Sequence, residues 1–254
     1  MNKKRYYIDL LLVLTKKEMK VKYKSSFLGY LWSVANPLAF AFVFYIAFKV
    51  VMKIQMEEYV LFLITGLFPW QWFANSINAS SMVFLSNTSI IKKVNFPRQV
   101  LPLAAVLQDM IHFILAIPVI ILFMLIYHHP ISWGWIYGIP ALLGAQFLMT
   151  YGLSLVISSA NLFFRDIERI TTIFTTLLFY FTPVIYAETM IPERYKVWVN
   201  LNPLAPLTIS WRRLFLTGNL EAGDLFVSYA YGIIFFGVGF FVYKKLSWKF
   251  AEVL

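Results

Sequence analysis

The stretch KKVNFPRQVLPLAAVLQDMIHFILAIPVIILFMLIY, Lys92 to Tyr127, decides how the chain is read. Its opening, through Pro102, packs Lys92, Lys93, Arg98, Asn95 and two prolines into a short basic elbow. From Leu103 onward the only charged side chain is Asp109, and Gln108 and His112 are the main other polar ones. About 20 mostly apolar residues let an α-helix cross hydrocarbon, so Leu103–Tyr127 reads as a membrane span entered through a polar elbow. Working outward, five further runs meet the same length test: Leu31–Met52, Tyr59–Leu85, Trp133–Phe163, Ile170–Tyr186 and Leu225–Tyr243.

Composition agrees. Of 254 residues, 60% are hydrophobic and 13% charged, against about 25% charged in soluble domains. The expectation is an all-α membrane protein, one transmembrane domain over 1–254 with six transmembrane helices. The net charge of +10 lies in clusters beside apolar runs, as topology signals do, and no basic stripe sits on a soluble module, which excludes nucleic acid as a partner. Of the 22 Lys and Arg residues, all but Lys49, Lys53, Arg194, Lys196, Arg212 and Arg213 fall in the N-terminal arm, the elbow, the Arg165–Arg169 turn and the C-terminal tail. The positive-inside rule then puts both termini and the elbow in the cytoplasm.

Two segments flank the spans. In the N-terminal arm, residues 1–29, Asp9 interrupts the apolar run, which argues against a signal peptide. Tyr7, Leu10, Leu11 and Leu14 recur at helical spacing, with Lys16, Lys20 and Lys24 on another face. This predicts an amphipathic helix along the cytoplasmic membrane surface. The external segment, 187–223, is cut by prolines into short helices near Pro192–Val199 and Leu204–Thr217. The second carries Leu207, Trp211, Leu214 and Phe215 on one face, which fits a helix dipping into the outer leaflet.

Catalytic signatures are missing. There is no phosphate-binding G-x-x-x-x-G-K-[ST] loop, no H-E-x-x-H, no G-x-S-x-G and no cysteine, so neither a cofactor nor a metal site is expected in this chain. His128 and His129 read as solvated loop residues. Asp109 and His112 share a helix face, which fits either a proton relay or a polar contact to a neighbouring helix. The larger resource is aromatic: Phe40, Phe44 and Tyr45 in the first run, Phe68, Trp70, Trp72 and Phe73 in the second, Phe179 and Tyr180 in the fifth. Such rings either line a pathway on which sugar C–H faces stack, or form interfacial belts and packing.

Four motifs carry a family resemblance: KYKSSFLGYLWSVANPL (Lys22–Leu38), VNFPRQVLP (Val94–Pro102), SANLFFRDIERI (Ser159–Ile170) and LNPLAPLTISWRRLFLTG (Leu201–Gly218). In this order they resemble the permease subunits of polysaccharide ABC exporters of the O-antigen and teichoic-acid type. The resemblance implies a homodimer working with two copies of a cytoplasmic ATPase that binds ATP and Mg, and a polyprenyl-pyrophosphate-linked glycan moved out of the bacterial inner membrane. It makes residues 1–29 an interface helix and 86–98 a coupling loop, with Ser86, Asn87, Thr88, Ile90, Ile91, Lys92, Lys93 and Asn95 in the ATPase groove. It also makes 187–223 a gate, with Trp198, Trp211, Arg212 and Arg213, the arginines meeting the pyrophosphate or anchoring at the membrane surface. Two rivals remain: a drug or small-lipid ABC permease, which shares the topology, and, from another class, a proton-coupled secondary transporter using Asp109 and His112.

Overall fold

The computed structural model describes residues 3–22, 26–27 and 29–253, and among them every regular element is a helix. The order is α1 (Lys3–Lys22), α2 (Trp32–Phe44, continued as a π-helical stretch Tyr45–Val51), α3 (Tyr59–Ser86), α4 (Thr88–Lys93), α5 (Val100–Ile126) and α6 (Trp135–Phe163). Then follow α7 (Ile167–Phe181), α8 (Glu193–Asn200), α9 (Leu204–Thr217), α10 (Ala222–Leu246) and α11 (Phe250–Val253). Five helices are long and apolar enough to cross a membrane: α2 with its π extension, α3, α5, α6 and α10. Hydrocarbon offers no partner for backbone N–H and C=O groups, so a crossing segment satisfies them within its own helix.

The expected span Ile170–Tyr186 is helical only as far as Phe181. Helix α7 starts earlier, at Ile167, and stops at Phe181 after 15 residues, about 22 Å at 1.5 Å per residue. Pro183 explains the stop, because a proline disfavours helical geometry in the residue before it, and Thr182 is extended (φ −98°, ψ 137°). Pro102 behaves differently: it falls in the first turn of α5, where its missing N–H costs nothing.

Helix α3 is the axis of the bundle. It is buried over most of its length, while α2 and α10 expose most of theirs, and it packs against α2, α5, α6, α7 and α9. Two apolar clusters fill the two ends. One gathers Trp72, Phe113, Trp135, Trp211 and Phe215; the other gathers Leu14, Phe84, Leu101, Tyr243 and Phe250. Leu14 of α1 and Phe250 of α11 belong to the same cluster, so these two helices share one end of the bundle. There Leu10, Leu11 and Leu14 of the stripe expected on α1 turn toward protein rather than lipid, and Tyr7 is exposed together with Ile8, Leu12, Val13 and Val21. Lys24, with part of the Lys22–Leu38 motif, lies outside the described residues.

The tightest helix pair is α6 with α10. A Cβ at Gly239 would collide with the Gly152 backbone, and one at Gly152 with the Phe235 carbonyl. Small residues at these positions let the backbones approach, the usual source of attraction between helices in lipid. Gly237, two residues away, meets nothing. Replacing Gly239 by Leu is therefore expected to destabilise the fold by about 1–3 kcal/mol through overpacking, seen as a lower melting temperature in detergent. Gly237→Leu is expected to leave that temperature unchanged.

Candidate functional site

The elbow forms because α3 ends at Ser86 and Asn87 closes it, its side-chain amide donating to the Val83 carbonyl (2.8 Å). Lys17 of α1 donates to the Asn87 amide oxygen. Helix α4 is pinned from beneath by Ile91 and Phe96, both buried, while Thr88 is spent on the Leu85 carbonyl (2.7 Å). The outer row is Ser86, Ser89, Lys92, Lys93, Val94 and Asn95, all exposed. Of the residues expected to meet a partner, Asn87 and Ile91 point inward and Ile90 is half-buried. Ser89 and Val94 join the outer row, and only the register of α4 reveals them. The return segment is tied down too: Arg98 donates to the Ser247 carbonyl (3.2 Å), the Gln99 N–H to the Tyr243 hydroxyl (3.1 Å), and the Tyr151 hydroxyl to the Gln99 carbonyl (3.3 Å).

In mid-bundle, α2, α3 and α7 surround a cavity of about 300 Å³. Five of the nine expected rings line it: Phe40, Phe44, Trp70, Phe179 and Tyr180. Phe179 sits 5.5 Å between centroids from both Phe44 and Trp70. The other four are elsewhere. Trp72 stacks on Phe113 (5.6 Å) and donates to the Val106 carbonyl (3.3 Å). Phe68 and Phe73 are buried, and Tyr45 packs half-buried against the core. The same cavity also has a polar lining that composition does not advertise: Asn36, Gln71, Asn75, Asn78, Thr175 and Thr176. Its signal was Gln71, Asn75 and Asn78 at i, i+4 and i+7, one helix face. A second cavity of about 380 Å³ shares Asn36, Gln71 and Asn75 and extends to Lys22 at the end of α1.

Asp109 is almost fully buried and makes an ion pair with Lys22 (2.8 Å); the Ser76 hydroxyl donates to its other oxygen (3.3 Å). The carboxylate thus joins α1, α3 and α5, which is the helix-contact reading. His112 lies on the same side and lines the second cavity.

At the opposite end, α8 and α9 fall where the prolines placed them, but the apolar face of α9 meets protein. Leu207, Trp211, Leu214 and Phe215 are all in the core. The Trp211 indole donates to Gln146 (2.7 Å), and Gln146 donates to the Pro69 carbonyl (2.8 Å). Arg212 is buried: it donates to the Phe62, Pro183 and Val184 carbonyls (3.2, 2.8 and 2.7 Å) and lies 3.6 Å from the Phe62 ring centroid. Burial lowers its pKa to about 9, and it stays cationic at neutral pH. Arg213 is held by Glu188, Glu221 and Asp224 (3.6, 2.7 and 3.0 Å). Both arginines are engaged within the protein, and Trp198 stands exposed on α8.

Replacing Arg212 by Ala orphans three carbonyls and is expected to cost at least about 3 kcal/mol. Arg213→Ala, at a partly exposed cluster, is expected to cost about 1 kcal/mol or less. Thermal melting of the purified chain in detergent orders the two.

Comparison with known proteins fits this arrangement. Residues 9–216 match the family model for the ABC-2 type transporter. Over 249 residues the chain is 49% identical to the O-antigen export system permease protein RfbA of Klebsiella pneumoniae, covering 98% of this chain and 96% of that protein. A protein of the same name from Myxococcus xanthus is 29% identical, with 97% and 95% covered. The polysialic acid transport protein KpsM of Escherichia coli is 22% identical, with 82% and 81% covered. The chain belongs to the ABC-2 type transporter family.

Proposed function

We propose that the chain is the membrane-crossing subunit of an ATP-driven exporter that moves a lipid-linked polysaccharide of the O-antigen type outward across the bacterial inner membrane. The observation that carries this reading is one continuous helix, α3, that lines the ring-walled cavity and runs directly into the elbow. The near-full-length likeness to O-antigen export permeases supports it.

In this reading the chain crosses six times. The sixth crossing is α7, with Thr182–Tyr186 completing the distance that 15 helical residues leave short. The start of α7 is held near the end of α6, where the Glu168 N–H donates to Asn161 (3.0 Å), and its end is held near α9, where Asn202 donates to Thr182 (2.8 Å). Both termini and the elbow face the cytoplasm, as the cation distribution requires. Two copies of the chain pair with two copies of an ATPase, which binds the ATP and Mg. This chain makes and breaks no covalent bond.

The mechanism is mechanical. Closure of the ATPase dimer pushes the outer row of α4. Because the elbow is tied to α1 through Lys17, to α6 through Tyr151, to α10 through Tyr243 and to the turn just after α10 through the Ser247 carbonyl, the push moves helices rather than bending a loop. Spans of the two copies part, and the glycan advances along rings that stack on its C–H faces without hydrogen-bonding tightly to it. Asp109, committed to Lys22 and Ser76, serves as a helix tie in this cycle.

The test is at the elbow. Replacing Lys92, Lys93 and Asn95 together by Glu, Glu and Asp leaves the buried anchors Ile91 and Phe96 in place, so the melting temperature is expected to hold. Recovery of the ATPase with the tagged chain and delivery of glycan to the cell surface are each expected to fall at least about tenfold, which corresponds to about 1.4 kcal/mol of contact energy. Unchanged ATPase recovery with unchanged export would contradict the coupling role.

A further inference from the structure

Asn36, Gln71 and Asn75 line both mid-bundle cavities. Among the described residues none of their side chains makes a hydrogen bond or ion pair. Of the buried amides, Gln146 and Asn161 are engaged, with Pro69, Trp211 and Ser81, while Gln108, alone on α5 and away from both cavities, has no hydrogen bond among the described residues; what sets Asn36, Gln71 and Asn75 apart is that they converge on the same two cavities. Gln71 and Asn75 lie about 18 and 24 Å along α3 from Tyr59, well inside the crossing segment. Unbonded amides at that depth are expensive in hydrocarbon, so this wall faces water or a ligand that replaces water.

The charge of the wall narrows the ligand. Among the described residues, none lining the first cavity is charged. In the second, Lys22 is the one formal charge among them, and Asp109 already neutralises it. A polyanion would enter without a counter-charge, whereas hydroxyl groups need none. Each carboxamide offers two N–H donors and a carbonyl acceptor, so it serves hydroxyls in either sense. Gln71 and Asn75 are one helical turn apart, about 6 Å, on the scale of one pyranose ring. Exchange between a hydroxyl and a bridging water is nearly even in energy, so such a wall guides a chain without trapping it.

We propose that Asn36, Gln71 and Asn75 form a hydrated amide lane along which the hydroxyl edge of an uncharged glycan exchanges hydrogen bonds while its faces pass the rings of Phe44, Trp70 and Phe179. This rests on the exporter reading above and adds the residues and the glycan class.

The chain contains no cysteine, so a single introduced thiol is the one labelling site on the purified chain. Gln71→Cys and Asn75→Cys, in membrane vesicles carrying the whole complex, are expected to react with a charged, membrane-impermeant methanethiosulfonate. Val238→Cys, on the outer face of α10, is expected to stay unlabelled. The paired change Gln71→Leu with Asn75→Leu is expected to lower export about tenfold with ATPase recovery and melting temperature unchanged, and Asn75→Ser to retain export. Failure of both thiols to label overturns the lane even if the leucine pair proves unstable. Labelling together with normal export by the leucine pair overturns it as well. The exporter reading stands or falls separately: if Trp70→Ala with Phe179→Ala abolishes export while the leucine pair exports normally, the lane is wrong and the pathway survives. If the ring pair also exports normally, the pathway itself is wrong.

Discussion

A hydrocarbon slab supplies no hydrogen bonds, and that single constraint sets apart two groups of polar side chains in this protein. Some are paired inside the bundle and hold it together. The Arg212 guanidinium gathers carbonyls from α3 and from the turn after α7, Asp109 ties Lys22 to Ser76, and Gln146 bridges Trp211 to Pro69. Others, Asn36, Gln71 and Asn75, have no partner among the described residues and converge on two adjoining cavities. Pairing is stabilising at the first sites because losing either partner strands a buried polar group. The same cost at the second sites is avoided where water or a polar cargo meets them, and in the proposed exporter the unpaired amides therefore point to a pathway.

Helix α3 joins the two kinds of site. One side of it is packed into core, with Trp72 against Phe113. Another presents Trp70, Gln71 and Asn75 to the cavities. Its last turn becomes the elbow with no flexible linker, since Asn87 alone separates α3 from α4. In the proposed exporter, force applied at α4 therefore reaches the pathway wall through a continuous helix. The glycine contact between α6 and α10 lies away from these cavities and gives that movement a rigid backing.

Much of this was legible in the sequence, for reasons that also explain what was not. The long spans follow from run length, and the elbow from clustered cations and prolines. The extent of α7 did not follow, because hydropathy continues through Val184 and Ile185 although Pro183 ends the helix. The face of α9 was visible but its neighbour was not: an apolar stripe looks the same whether it meets lipid or Trp135 and Phe113. Arg212 and Arg213 are adjacent, yet a 100° step on the helix sends one into the core and the other to three carboxylates. Of the neighbouring Ile90 and Ile91, only the second is buried, which no local pattern decides. The amides of α3 were overlooked because the rings beside them gave the stronger compositional signal.

The decisive observation is an electron cryo-microscopy map of the chain with its ATPase, in a lipid disc, trapped with a lipid-linked glycan part-way across. The proposed pathway requires carbohydrate density between α2, α3 and α7, with sugar faces against Trp70 and Phe179 and a hydroxyl edge toward Gln71 and Asn75. Density running instead along the outer face of α10, or between α6 and α10, would contradict it.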